Sequence, residues 1–77
     1  MHIQIGAIYL DPARIVWVAP FRSRPIRRKL NEHRDRVTDL TQGKRVLSVI
    51  FTDTDHFLLS SEPVEAILER QKSAMAL

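Results

Sequence analysis

Gly43-Lys44-Arg45-Val46-Leu47-Ser48-Val49-Ile50-Phe51-Thr52-Asp53-Thr54-Asp55-His56-Phe57-Leu58-Leu59 is the stretch that decides how this 77-residue chain folds. Val46 to Phe51 is its most strand-like run, and both faces of the run are mostly apolar. A strand of that kind belongs in the middle of a sheet. Asp53-Thr54-Asp55 supplies turn chemistry, after which His56 to Leu59 forms a short partner strand. Gly43 marks a turn ahead of the run, and two cations follow it directly.

Working towards the N-terminus, the apolar spacing changes to the helical period. Ile26, Leu30, His33 and Val37 fall on one narrow face of a helix that starts behind Ser23 and Pro25. Its outer face carries Arg27, Arg28, Asn31, Glu32, Arg34 and Asp35. Arg28 with Glu32, and Glu32 with Arg36, have the i,i+4 spacing of helical ion pairs. Arg14 to Val18 is β-branched and aromatic and reads as a strand that Pro20 ends. Ile3, Ile5 and Ala7 alternate with polar or small residues, which predicts a first strand with a bulge at Gly6. Asp11-Pro12 is the turn joining these two strands into a hairpin.

Towards the C-terminus, Ser61-Glu62-Pro63 opens a second helix whose apolar stripe is Val64, Ile67, Leu68 and Met75. The expected architecture is a single α+β domain spanning residues 1–77. Its order is β-β-α-β-β-α, with a mostly antiparallel sheet, two helices and an extra short strand around Val37 to Leu40.

Composition narrows the function classes. A chain of this length builds one core and buries only about 60% of its unfolded surface, so self-association would help it. There is no cysteine, hence no disulfide framework and no thiolate metal site. No apolar run approaches the ~20 residues of a membrane helix, and Met1-His2-Ile3-Gln4-Ile5 lacks a signal-peptide pattern. The expectation is a soluble intracellular protein with no membrane partner. Net charge is +3 but unevenly placed, at −1 for residues 1–13, +7 for 14–45 and −3 for 46–77. Nine of the twelve basic residues are arginine, the side chain shaped for forked contacts to phosphate. A polyanionic partner is the natural reading of that middle third.

Catalytic chemistry is hard to find. His2, His33 and His56 have no metal-ligand spacing, and His33 on the apolar stripe reads as a packing residue. Asp53-Thr54-Asp55-His56 holds three potential ligands within four residues. A tight turn, with the aspartates bonding backbone N–H groups, is the favoured alternative. Ser23, Ser48, Ser60 and Ser61 lack a paired base. The chain reads as a non-enzyme without cofactor or metal. Trp17 fits a sheet core better than a base-stacking platform. Phe21, between Pro20 and Arg22 on a loop, is a candidate subunit contact. Lys44-Arg45 reads either as a polar turn or as a hairpin tip that clamps phosphates.

Pro25-Ile26-Arg27-Arg28, Gly43-Lys44-Arg45 and Val49 to Ser60, above all Asp53-Thr54-Asp55-His56 with Leu59-Ser60, resemble the RemA-like family of bacterial extracellular matrix regulators. Ile3-Gln4-Ile5-Gly6, Ala13-Arg14 and Ser60-Ser61-Glu62-Pro63 fit as well. The resemblance implies a cytoplasmic DNA-binding transcription regulator that assembles into closed rings with basic outer rims. It carries the DNA contacts onto Arg14, Lys44 and Arg45. The chain departs from the pattern with Lys44 in place of arginine, Leu47 in place of a further cation, and a slightly shorter segment before Gly43. Arg22 and Arg24 are extra cations, expected to compensate as DNA contacts. The expected partners are double-stranded DNA and further copies of the chain. Two alternatives stand beside this reading. One is a small oligomeric scaffold whose basic helix docks an acidic partner. The other is an RNA-binding regulator, against which the aromatic content of 6% counts.

Overall fold

The strand over Val49 to Phe51 lies, as its two apolar faces require, inside a four-stranded sheet. The computed structural model describes residues 2–76. Along the chain it contains β1 (Ile3–Ile5), β2 (Ile8–Leu10), β3 (Ile15–Pro20), α1 (Arg24–Glu32), β4 (Val37–Asp39), β5 (Ser48–Thr52), β6 (Phe57–Ser60) and α2 (Val64–Met75). Short 3-10 turns at Pro12–Arg14 and Arg34–Arg36 precede β3 and β4. The large sheet has the order β3-β5-β6-β4, and β1 with β2 forms a separate two-stranded ribbon. Every pairing is antiparallel except that of β4 with β6. The class is α+β with a mostly antiparallel sheet, and the extra strand near Val37 is present.

Side chains of β5 and β6 alternate between two cores, as the two-residue period of a strand dictates. Ile50 and Leu58 point towards the β1–β2 ribbon and α2, where Ile3, Ile5, Ile15, Leu40 and Ile67 complete the larger cluster. Val49 and Phe57 point the other way, towards Leu30 of α1, with Trp17, Phe51 and Ile26 half-buried around them. Trp17 stacks on Phe51 at 5.1 Å between ring centroids, and Phe51 meets Phe57 at 4.9 Å. Trp17 is thus a sheet residue whose ring is already occupied.

Several expectations are corrected. The partner of β1 is not Arg14 to Val18 but β2, with Ile5 opposite Ile8. Gly6 is therefore the hairpin turn and not a bulge. Its φ of +58° at the first central position suits a two-residue turn. A Cβ there would stand 2.3 Å from the Leu40 carbonyl oxygen, so the ribbon approaches β4's end as closely as it does only because residue 6 has no side chain. β3 instead pairs with β5, as an edge strand on which Pro20 costs no central hydrogen bond.

The helix predicted through Val37 stops at Glu32. His33 caps it, and Val37 to Asp39 pair in parallel with Phe57 to Leu59. His33 stacks on Phe57 at 5.9 Å, as a packing residue should. Glu32 and Arg36 are consequently not on one helix. The ion pairs proposed for Glu32 are absent, since the only one among the described residues joins Arg70 to Glu62. On α2, Ile67 is fully buried, whereas Leu68 and Met75 are 44% and 58% exposed. The inward face runs from Ile67 to Ala74, so Leu68 and Met75 lie on its outer flank.

Candidate nucleic-acid interface

Two serines set where the basic loop and α2 begin. Ser48 and Ser60 face each other across β5 and β6, and both are buried. Ser48 Oγ donates to the Glu62 carbonyl at 2.6 Å, while the Glu62 N–H donates to Ser60 Oγ at 3.1 Å. The Glu62 carboxylate then pairs with Arg70, whose guanidinium also donates to the Gln4 carbonyl at 3.0 Å. Arg70 is thereby spent on holding the ribbon, α2 and the β6–α2 connection together. The loop before β5 is tied down beside it. The Leu47 N–H donates to the Ser60 carbonyl at 2.9 Å, and the Phe21 N–H to the Leu47 carbonyl at 3.1 Å.

Those bonds bring the connection after β3 against the loop before β5. A cleft of about 430 Å³ opens between them and the start of α2, lined by Phe21, Arg22, Arg27, Arg45, Leu47 and Glu65 among others. Arg22 and Arg45, both expected from sequence, meet there. Arg27, not singled out beforehand, is the third cation. It sits within α1, but its Nε–H donates back to the Phe21 carbonyl at 3.2 Å and its guanidinium lies 5.1 Å from the Phe21 ring centre. The only hint in the sequence is Phe21 itself, an aromatic residue within a basic loop. That aromatic packs within its own chain.

The remaining expected contacts lie elsewhere. Lys44, adjacent to Arg45, borders a different cleft of about 510 Å³ with Gln4, Thr41, Glu62 and Arg70. Arg24 is exposed at the first position of α1, and its side chain does not line the Phe21 cleft. Arg14 is exposed at the opposite end of β3, where its carbonyl accepts from the Asp53 N–H at 2.9 Å. Since β3 and β5 run alongside each other from Ile15 and Thr52 to Pro20 and Ser48, Arg14 and Arg45 mark opposite ends of the sheet. At a strand rise of about 3.3 Å per residue, some 17 Å of β3 separates those ends.

The Asp53 to His56 segment is a tight turn, held differently from the expectation. Thr52 Oγ1 lies 3.0 Å from Thr54 Oγ1, which lies 3.1 Å from His56 Nδ1. The Thr52 N–H donates to the His56 carbonyl at 3.0 Å, and Asp55 takes a φ of +61° that an aspartate tolerates. Hydroxyls and an imidazole close this turn, while the aspartate side chains make none of its bonds. Among the described residues no group of three or more histidine, cysteine or acidic side chains is placed to hold a metal.

Fold and surface together define a small α+β domain with a three-arginine cleft at one end of its sheet and a fourth exposed arginine at the other. The family described as "Extracellular matrix regulatory protein A-like" matches residues 3–71 of this chain. The chain belongs to that RemA-like family. It is 42% identical over 77 residues to a protein of Desulforudis audaxviator, covering 97% of this chain and 80% of the relative. A Moorella thermoacetica protein is 42% identical over 75 residues, covering 95% and 81%. One from Alkaliphilus metalliredigens is 40% identical over 75 residues, covering 95% and 80%. All three carry the name "Putative regulatory protein".

Proposed function

We propose that this protein is a cytoplasmic transcription regulator that assembles into a closed ring and binds duplex DNA along a repeated basic rim. A regulatory role is what the relatives' names and the family's description support. The observation that carries the DNA reading is the unpaired state of the cations. None of the ten basic side chains between Arg14 and Arg45 makes an ion pair among the described residues, and three of them share one cleft. Each phosphate such a cation neutralises releases counterions, giving an affinity that falls steeply with salt. Arg14 and Arg45 lie too far apart to grip one phosphate. A duplex lying along the sheet, or one passing from copy to copy, would meet both ends in turn.

Assembly multiplies contacts that are weak singly. Tyr9 and Val16 are 70% and 56% exposed, and Trp17 and Phe51 are only half-buried. These exposed apolar groups, on more than one face of the domain, are what further copies would cover. Sequence preference would come largely from how easily the DNA bends around the rim.

The absence of ion pairs on α1 also favours a second reading, in which Arg28 and Lys29 dock an acidic protein. Gel-shift titration with duplex DNA and single-stranded RNA at two salt concentrations, alongside light scattering, separates the readings. The proposal expects salt-sensitive duplex binding by a species well above a dimer. A monomer indifferent to DNA overturns it.

A further inference from the structure

We infer that the cleft beside Phe21 is a phosphate-ester site whose ligands are Arg22, Arg27 and Arg45, with Phe21 as the positioning residue for Arg27. This rests on the DNA reading only for the source of the phosphate. Arg27 is prepared for such a ligand in a way its helical neighbours are not. Its Nε–H is used on the Phe21 carbonyl, and its guanidinium carbon lies over the Phe21 ring, 5.1 Å from the centre. The two terminal amino groups keep their donors, and a pair of parallel donors is the fork that takes two phosphate oxygens. Phe21 is itself fixed by its N–H to Leu47, and the next turn by the Ser23 N–H to the Pro20 carbonyl at 3.2 Å. A guanidinium held this way gives up less rotational freedom on binding than a free surface arginine.

The surroundings strengthen the contact. Pro20, Val46, Leu47 and Val64 supply apolar walls, and hydrogen bonds to charge are stronger beside apolar groups than in open water. The first turn of α2 lines the same cleft, and no side chain caps it, so its amide dipoles add positive potential. Glu65 is the one carboxylate on the wall and opposes an anion. Three guanidinium groups against one carboxylate exceed what a side-chain carboxylate ligand needs. They match a phosphate ester, which offers more oxygens to the forks.

The test is fluorescence anisotropy of a short labelled duplex, with competition by AMP and by oligoglutamate. It uses the full chain and Arg27→Ala, Arg27→Lys, Phe21→Leu and the double variant Phe21→Leu/Arg27→Ala. Arg28→Ala is the control. Arg27→Ala should weaken duplex binding by about tenfold or more and flatten the salt dependence, while circular dichroism shows it still folded at the assay temperature. Arg27→Lys should recover only part of the loss, because an ammonium lacks the fork. Phe21→Leu should weaken binding in the wild-type background and add nothing to Arg27→Ala, a non-additivity that a merely structural Phe21 would not give. If Arg27→Ala spares the duplex but abolishes AMP binding, the site stands and its ligand is a free phosphate ester. A wild-type protein that binds AMP through Arg27 but no duplex sinks the DNA reading and leaves the site. If duplex binding is intact and neither ligand responds to Arg27→Ala more than to Arg28→Ala, the inference is overturned and the DNA reading survives. Displacement by oligoglutamate as effective as by AMP would also overturn it.

Discussion

Gly6→Ala tests the close approach of the β1–β2 ribbon to the strand end that leads into the basic loop. Two costs can be worked from the geometry. Residue 6 sits at a φ of +58°, and a left-handed conformation costs an L-residue about 1–2 kcal/mol. The new Cβ would also meet the Leu40 carbonyl oxygen at 2.3 Å, a backbone atom that cannot rotate away. Forcing atoms into a packed site costs typically about 1–3 kcal/mol. Reduced freedom of the unfolded chain returns about 0.4–1 kcal/mol. The net loss is about 1–5 kcal/mol, a large share of the 4–12 kcal/mol implied by roughly 0.05–0.15 kcal/mol per residue. At about 4–8 °C per kcal/mol for a domain of this size, the mid-range loss of about 3 kcal/mol should lower the melting temperature by roughly 10–25 °C. Gly43→Ala is the internal control, because Gly43 has a φ of +84° but open space around its missing Cβ. It should show the backbone cost alone. Thermal and urea denaturation followed by circular dichroism measure both. Equal losses for the two variants would refute the close approach to Leu40.

The carboxylate of Asp39 accepts from the Thr41 hydroxyl at 2.6 Å and from the Thr41 N–H at 2.8 Å, which hold it below its ordinary pKa. A group so depressed stabilises the fold above its unfolded pKa and loses that contribution as pH falls towards its folded value. Asp39→Asn should therefore melt lower than wild type at neutral pH, with the gap closing in acid; a gap constant with pH would refute this. Glu65→Gln removes the one carboxylate from the arginine cleft and should tighten duplex binding, most visibly at low salt, as anisotropy would show. Ile67→Ala, at a fully buried position, should cost about 2–5 kcal/mol in urea denaturation.

How much could be read from the chain varies with the length of the pattern. β5 declared itself through an apolar run that could sit only between two strands, and its two faces do feed two cores. β2 did not, because Ile8-Tyr9-Leu10 is too short for alternation to register and Gly6-Ala7 lacks the usual asparagine–glycine turn signal. The end of α1 was misplaced because Val37 satisfies the helical stripe as well as it satisfies β4, and only pairing with Phe57 decides between them. The candidate site was half legible. Arg45 stood out through the family resemblance and its place after the turn glycine, and Arg22 as an extra cation beside that pattern, but Arg27 looked like any outer-face cation until the fold carried Phe21 back against it. Conversely, Lys44 and Arg45 are neighbours in sequence that border different clefts, a separation decided by side-chain direction and invisible to spacing.

The central claim, that the cations at the ends of the sheet, Arg45 among them, meet DNA and those beyond the far end of α1 do not, is tested most directly by the salt dependence of duplex affinity. The comparison is between wild type, Arg45→Ala and Arg34→Ala under identical conditions. Arg34 follows α1 at the end away from the cleft, where its guanidinium donates to Asn31 Oδ1 at 3.4 Å. The wild-type plot of log affinity against log salt should be steep and negative. Arg45→Ala should flatten it by about 0.9 for each phosphate no longer neutralised along the bound path, while Arg34→Ala should overlay the wild type. An Arg34→Ala slope as shallow as that of Arg45→Ala would place the DNA beyond the far end of α1 and contradict the account.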